Sequence, residues 1–281
     1  MFFSENNPTL PNRLGQNSKD KLIDKSAIAN FISAQGKPKL APVAVVIAAY
    51  GEKDNIGSVV KSIPSRICGL EVSVVVIVDG KNDGTAEIVR KAGGFAVVTG
   101  VNRGQGTAFR LGYLMARKYG AEYIVTADGD GQTEPNDLAV VLLPVVQDEA
   151  DFVNGSRRLG STSAAWTVRN VGVYLFSNLV SLLTGIKVTD TANSIRAMHA
   201  KLTKELTLNE PQYQAPEMLI SAIMSGARYA ERPTTVHARK SGKSKKGNNF
   251  VYGYRYSKVL LHTWWREKMS SRQKGKPPTA V

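Results

Sequence analysis

The chain has 281 residues and a formal net charge of +14, enough for one large α/β domain with ordered tails or for two small domains. Hydrophobic residues at 42% and charged residues at 21% exclude wholesale disorder. A single cysteine, Cys68, excludes an intrachain disulfide or a cysteine-built metal site and points to a reducing compartment.

Residues 1–40 read as a polar extension with one short helix, Lys25 to Ser33, and without the charged-then-apolar pattern of a secretion signal. Val43 to Ala49 is a continuous, β-branched apolar run, as a strand buried on both faces requires. Asn55 to Ile63 has helical spacing and stops at Pro64. Val72 to Val78 is a second buried strand ending at Asp79, followed by a helix over Gly84 to Ala92. Ala96 to Thr99 is a short third strand, Thr107 to Tyr119 a helix, and Tyr123 to Ala127 a fourth strand ending at Asp128. Strands alternating with helices predict an α/β fold, a doubly wound and mostly parallel sheet with flanking helices. The apolar run Val171 to Ile186 is interrupted by Ser177, Asn178, Ser181 and Thr184, too short and too polar to span a bilayer. A soluble or peripheral protein is expected, cytoplasmic or at a membrane surface.

The charge is concentrated. Residues 231–281 carry thirteen Lys or Arg against two acids, which suits an anionic partner: nucleic acid, an anionic membrane or a phosphorylated substrate. Residues 269–281 read as a disordered basic tail.

Open parallel sheets bind ligands at the carboxyl ends of their strands. Those ends carry Ala49-Tyr50-Gly51-Glu52, Asp79-Gly80, Asn102-Arg103-Gly104 and Asp128-Gly129-Asp130. Two acids two residues apart, with glycine between and after, can aim oxygens at a hard divalent cation that also holds substrate phosphates; a plain Asp-Gly turn is the alternative. No Glu stands where an EF-hand requires one. Asn102 to Thr107 fails as a dinucleotide fingerprint, because Phe109 replaces the third glycine and the motif follows the third strand. His199 and His237 lack neighbours at ligand spacing, and Trp264-Trp265 reads as core.

In this order the motifs resemble a glycosyltransferase of family 2 with the GT-A (nucleotide-diphosphosugar transferase) fold, most similar to the dolichyl-phosphate mannose synthase branch. Tyr50-Gly51-Glu52 matches the first-strand nucleotide motif. Asp79 to Thr85 is similar to the second, with one of its two leading acids absent. Gly104-x-Gly106-Thr107-Ala108-Phe109 resembles the glycine turn, and Asp128-x-Asp130-x-Gln132 the metal-and-phosphate motif. Downstream, Gly155-Ser156-Arg157, Arg169-Asn170, Asp190 to Arg196, Gln214 to Leu219 and Arg239-x-x-Gly242-x-Ser244-Lys245 follow the family pattern, so the resemblance spans about Pro42 to Lys245.

The resemblance implies inverting transfer of a hexose from a GDP- or UDP-sugar. Asp128, Asp130 and Gln132 would hold Mg²⁺ or Mn²⁺. Ala49, Tyr50, Glu52, Asp79, Gly104, Gly106, Asp128 and Gly129 would bind the nucleotide sugar. Gln132, Arg157, Arg169, Arg239, Ser244 and Lys245 would contact phosphate or acceptor. A polyprenyl phosphate acceptor needs no general base; a hydroxyl on a protein or other macromolecule does, and Glu217 is the candidate. Residues 41–240 form the expected transferase domain, and residues 241–268 a basic loop and an amphipathic helix. On that helix Tyr252, Tyr256, Val259, Leu260 and Thr263 share a face, which suits either an anionic membrane or ordinary core packing. The alternative from another class is a non-catalytic nucleic-acid-binding protein. It is disfavoured because it leaves the strand-end acids unexplained.

Overall fold

The computed structural model describes residues 18–162, 168–237 and 249–274, with side chains described from 171 in the second segment and for 251–270 in the third. The expected elements appear in order: β1 (Val43–Ala49), α2 (Lys53–Ser62), β3 (Leu70–Val78), α3 (Thr85–Lys91), β4 (Phe95–Val98), α4 (Gln105–Lys118) and β5 (Tyr123–Asp128). A two-residue strand, β2 (Arg66–Ile67), precedes β3, and α1 (Ser18–Gln35) precedes β1. The chain continues through α5 (Asp137–Val146), β6 (Phe152–Thr162), α6 (Val168–Thr184), β7 (Arg196–His199), α7 (Gln214–Met224), β8 (Tyr229–Val236) and α8 (Asn249–Lys274).

The sheet runs β2-β3-β1-β5-β7-β6-β8, with β4 paired to β3. β4, β3, β1 and β5 are parallel; β7 is antiparallel to both β5 and β6, and β8 runs parallel to β6. Alternation along β1 shows how both faces are covered. Ala44 and Val46 join the core under α1, α4, α7 and α8, whereas Val43, Val45 and Ile47 join the core under α2, α3 and α5.

Two boundaries differ from the expectation, and the α8 stripe takes one of its two expected uses. The N-terminal helix is longer than Lys25 to Ser33, and Ala27, Ile28 and Phe31 lie in the main core. Residues 18–35 therefore pack against the sheet as α1. At the other end α8 continues to Lys274, so residues 269–274 are helical. The stripe on α8 faces inward: Tyr256 is 2% and Leu260 0% exposed. Those residues pack the fold and do not lie on a membrane. The outward face of α8 instead presents Val251, Tyr254, Arg255, Lys258, Leu261, His262, Trp265 and Met269.

Candidate active site

The carboxyl ends of four strands lie level, because Ala49 pairs with Val78, Val78 with Val98, and Ala48 with Asp128. The Ala49 carbonyl accepts the Asp79 N–H at 2.8 Å, tying two of these ends directly. The Tyr50 ring lies 3.3 Å from where a Cβ on Gly80 would sit. The Glu52 stem lies 3.7 Å from the corresponding point on Gly129, and its carboxylate accepts Asn55 Nδ2 at 3.3 Å. Ala49, Tyr50, Glu52, Asp79, Asp128, Gly129 and Asp130 are thus gathered on one edge.

Asp128 is held from two sides. Its Oδ1 accepts Gln105 Nε2 at 3.2 Å and its Oδ2 accepts the Ser194 hydroxyl at 2.6 Å. Asp130 is buried, and its Oδ1 accepts the Gln132 N–H at 3.2 Å. An all-oxygen pair of carboxylates at a strand end fits a hard divalent cation that draws its remaining ligands from phosphate and water. Gln132 is stitched to the end of β8: its Nε2 donates to the His237 carbonyl at 2.8 Å, and the His237 N–H donates to the Gln132 carbonyl at 2.9 Å. β8 therefore ends beside the Asp130–Gln132 turn. Arg239, Ser244 and Lys245 lie outside the described residues, as does the side chain of Arg169 on α6.

Several expected ligand residues hold the protein's own chain instead. Asp79 is 2% exposed; it accepts the Arg103 N–H at 3.0 Å and the Gly104 N–H at 2.7 Å. Burial pushes its carboxyl up, while these two N–H groups pull it down. Its carboxylate pins the glycine turn. Arg103 then reaches α1, with Nη2 2.6 Å from Asp24 and Nη1 3.3 Å from Asp20.

Gly104 and Gly106 likewise admit backbone. Gly104 has φ +95°, and a Cβ there would lie 2.4 Å from the Pro211 carbonyl; one on Gly106 would lie 2.2 Å from the Glu210 carbonyl. The Gly106 N–H donates to the Pro211 carbonyl at 2.8 Å. The close approach expected for a ligand is made by residues 210–211. Arg157, expected on phosphate, forms a two-pronged pair with the fully buried Asp190 at 2.6 and 2.8 Å.

Glu217 departs furthest from expectation. It is fully buried, its Oε1 accepting the Asn209 N–H at 2.7 Å and Arg266 Nη1 at 3.0 Å, its Oε2 accepting the Glu210 N–H at 3.0 Å. A carboxylate so enclosed is not poised to take a proton from an acceptor hydroxyl. Gln105 and Ser194, which touch Asp128, are the site residues that sequence reasoning passed over. Each lay inside a motif already singled out, as a polar side chain without an assigned task.

A second acidic group, Asp148 and Asp151 with His199, brings its ligand atoms within 4.8 Å of one another. His199 pairs with Tyr123 at the opposite end of β5 from Asp128, roughly 17 Å away at the rise of a strand. Arg228 already bridges both acids, with Nη2 3.0 Å from Asp151 and also bonded to Asp148. A metal there would have to displace that guanidinium charge, so this cluster is an ion-pair network.

A mixed sheet whose acidic strand ends lie beside a glycine turn is the arrangement that the GT-A resemblance implies. Residues 44–207 match the Glycosyl transferase family 2 domain, and the chain belongs to that family. It is a glycosyltransferase, and the nucleic-acid-binding alternative falls with that assignment. Among relatives, the dolichyl-phosphate hexose transferase of Haloferax volcanii is 32% identical over 227 residues, covering 81% of this chain and 96% of the relative. The UDP-N-acetylglucosamine–dolichyl-phosphate N-acetylglucosaminyltransferase of Methanococcus voltae is 27% identical over 243 residues, covering 77% and 94%. The fold is similar to that of glucosyl-3-phosphoglycerate synthase from Mycobacterium tuberculosis, solved with Mn²⁺, UDP and phosphoglyceric acid. That likeness has a TM-score of 0.62 at 17% identity, covering 85% of this chain and 82% of that one.

Proposed function

We propose that the protein transfers a hexose from a nucleotide diphosphate sugar to a polyprenyl phosphate at a membrane surface. The observation that carries the acceptor reading is Glu217. The one side chain expected to serve as base for a hydroxyl is enclosed by Arg266 and two backbone N–H groups, whereas a phosphate oxygen arrives anionic and needs no base. The relatives named for dolichyl phosphate agree.

Asp128 and Asp130 would hold Mg²⁺ or Mn²⁺, and a divalent ion bound there stabilises charge developing on the departing diphosphate. The chain's own residues do the rest. Gln105 and Ser194 orient Asp128, the Gln132–His237 pairing holds the end of β8 at the same edge, and Tyr50 and Glu52 flank the space for the nucleoside.

No helix among the described residues is long and apolar enough to cross a membrane. A surface contact has a different basis. α6 presents Val171, Tyr174, Leu175 and Leu182 outward, and the outward face of α8 mixes Tyr254, Leu261 and Trp265 with Arg255 and Lys258 and carries no acid. Aromatic and basic residues on one helix face suit an anionic interface.

The test is transfer of labelled sugar from GDP- and UDP-sugars to polyprenyl phosphate in anionic vesicles, with Mn²⁺ or excess EDTA. Label should enter the lipid fraction only with the ion, and Asp130→Ala should lower the rate at least roughly a hundredfold. Full activity in EDTA would overturn the metal assignment; label on a hydroxyl acceptor alone would overturn the acceptor.

A further inference from the structure

The pair between the half-buried Arg266 and the fully buried Glu217 joins the surface helix α8 to the segment beside the glycine turn. Arg266 projects from α8, the helix whose other face carries Tyr254, Leu261 and Trp265. Its Nη1 donates to Glu217 at 3.0 Å, while Nη2 donates to the Thr207 carbonyl at 2.6 Å, to Ser221 Oγ at 3.1 Å and to Glu267 at 2.9 Å. Glu217 in turn fixes the N–H groups of Asn209 and Glu210.

Those two N–H groups belong to the segment pressed on the glycine turn. The Glu210 carbonyl accepts Arg110 Nη1 at 2.9 Å, and the Pro211 carbonyl accepts the Gly106 N–H at 2.8 Å. With a Cβ position on Gly106 only 2.2 Å from the Glu210 oxygen, no side chain pads this contact. A displacement of the 209–211 backbone must move the start of α4. There Gln105 reaches Asp128, the first carboxylate of the strand-end pair, at 3.2 Å.

We propose that Glu217 and Arg266 are positioning residues for the donor. They act from the surface helix α8, through the 209–211 backbone, on the Gly104–Gly106 turn and on Asp128. A buried charge pair with fixed hydrogen bonds is a poor device for stability alone, because desolvation offsets its attraction. It does set the register of the elements it joins, here α8, α7 and the turn. The inference rests on the proposed function, since it places the nucleotide sugar at Asp128, which Gln105 at the start of α4 holds.

The experiment measures UDP and GDP binding with Mn²⁺ by calorimetry, together with KM for donor and kcat, in the full chain and in Glu217→Gln and Arg266→Met. Each variant should stay folded by circular dichroism. It should raise donor Kd and KM roughly tenfold, the scale of loss expected when a remote change misplaces a binding group. The kcat at saturating donor should stay within about threefold. Arg266→Lys, which keeps the charge and loses the planar fork, should fall between. In the wild-type chain, nucleotide should slow amide exchange at residues 104–108 and at Asn209 and Glu210 together. This readout stands even where a variant fails to fold.

Folded variants with unchanged donor affinity would overturn the proposal, as would protection confined to residues 104–108. A collapse of kcat at constant KM would also overturn it, by placing Glu217 in the chemistry. Wild-type protein that binds neither nucleotide would overturn the proposed function along with it.

Discussion

Replacing Gly106 by Ala tests the most crowded contact at the site. A Cβ there would sit 2.2 Å from the Glu210 carbonyl oxygen and 3.1 Å from the Pro211 carbonyl, about 0.8 Å inside the 3.0 Å limit that real Cβ atoms respect. Both neighbours are backbone, so the strain cannot be relieved by turning a side chain. Ala favours a helix over Gly by up to about 1 kcal/mol, but overpacking costs about 1–3 kcal/mol. Pushing the segments apart also strains the 2.8 Å bond from the Gly106 N–H to the Pro211 carbonyl, worth about 1 kcal/mol. A net loss of about 1–3 kcal/mol follows, with weaker nucleotide binding because Gln105 moves with the helix start. Gly253 is the control: it lies inside α8 with nothing within 4 Å of its Cβ position. Gly253→Ala should stabilise by about 0.5–1 kcal/mol. Urea denaturation of both variants gives the two signs, and calorimetry with UDP and GDP gives the binding. A Gly106→Ala protein as stable as wild type, with unchanged nucleotide affinity, would refute the contact.

Two further outcomes can be measured in the same way. Asp24 and Arg103 are 4% and 6% exposed at their side chains and 2.6 Å apart. Asp24→Asn leaves a buried guanidinium with Asp20 at 3.3 Å as its remaining carboxylate, and should cost about 1–3 kcal/mol; unaltered stability would mean that α1 does not anchor the turn. Bonding to Arg228 holds the Asp151 carboxyl below its usual 3.8. The pair therefore contributes stability at any pH above that value, and the contribution is lost as pH falls through the lower folded value. The stability gap between wild type and Asp151→Asn should be full at pH 7 and close in acid. A gap that widened on acidification would contradict the assignment.

The first half of the fold was legible because it obeys one local rule. β1 is buried on both faces, so its residues are apolar without alternation, and the helices between strands show their own period. The other elements break that rule. β7 carries the buried Arg196 as its first residue, and β6 buries Asn154 and Ser156. Both read as polar sequence because their partners, such as Asn154 Oδ1 on Arg196 Nε at 3.1 Å, lie far along the chain. In α1 the buried apolar face reduces to Ala27, Ile28 and Phe31 beside the buried Asp24, too sparse to mark a core helix. The site divides along the same line. The strand-end acids were visible because each ends an apolar run. The tasks of Asp79 and Glu217 were not, since 24 residues separate Asp79 from Arg103 and 49 separate Glu217 from Arg266.

The basic residues described on α8 differ in the direction their side chains take. Along α8, Arg255 and Lys258 point outward among Tyr254 and Leu261, where attraction to an anionic surface is screened within about 8 Å at physiological salt. Arg266 turns inward to the fully buried Glu217, 19% exposed itself, where screening by salt is weak. Lys268 does neither, lying 4.4 Å over the Trp264 ring, whose Nε1 donates to the Leu183 carbonyl on α6. One helix thus carries a salt-sensitive outer face and a salt-insensitive inner bolt.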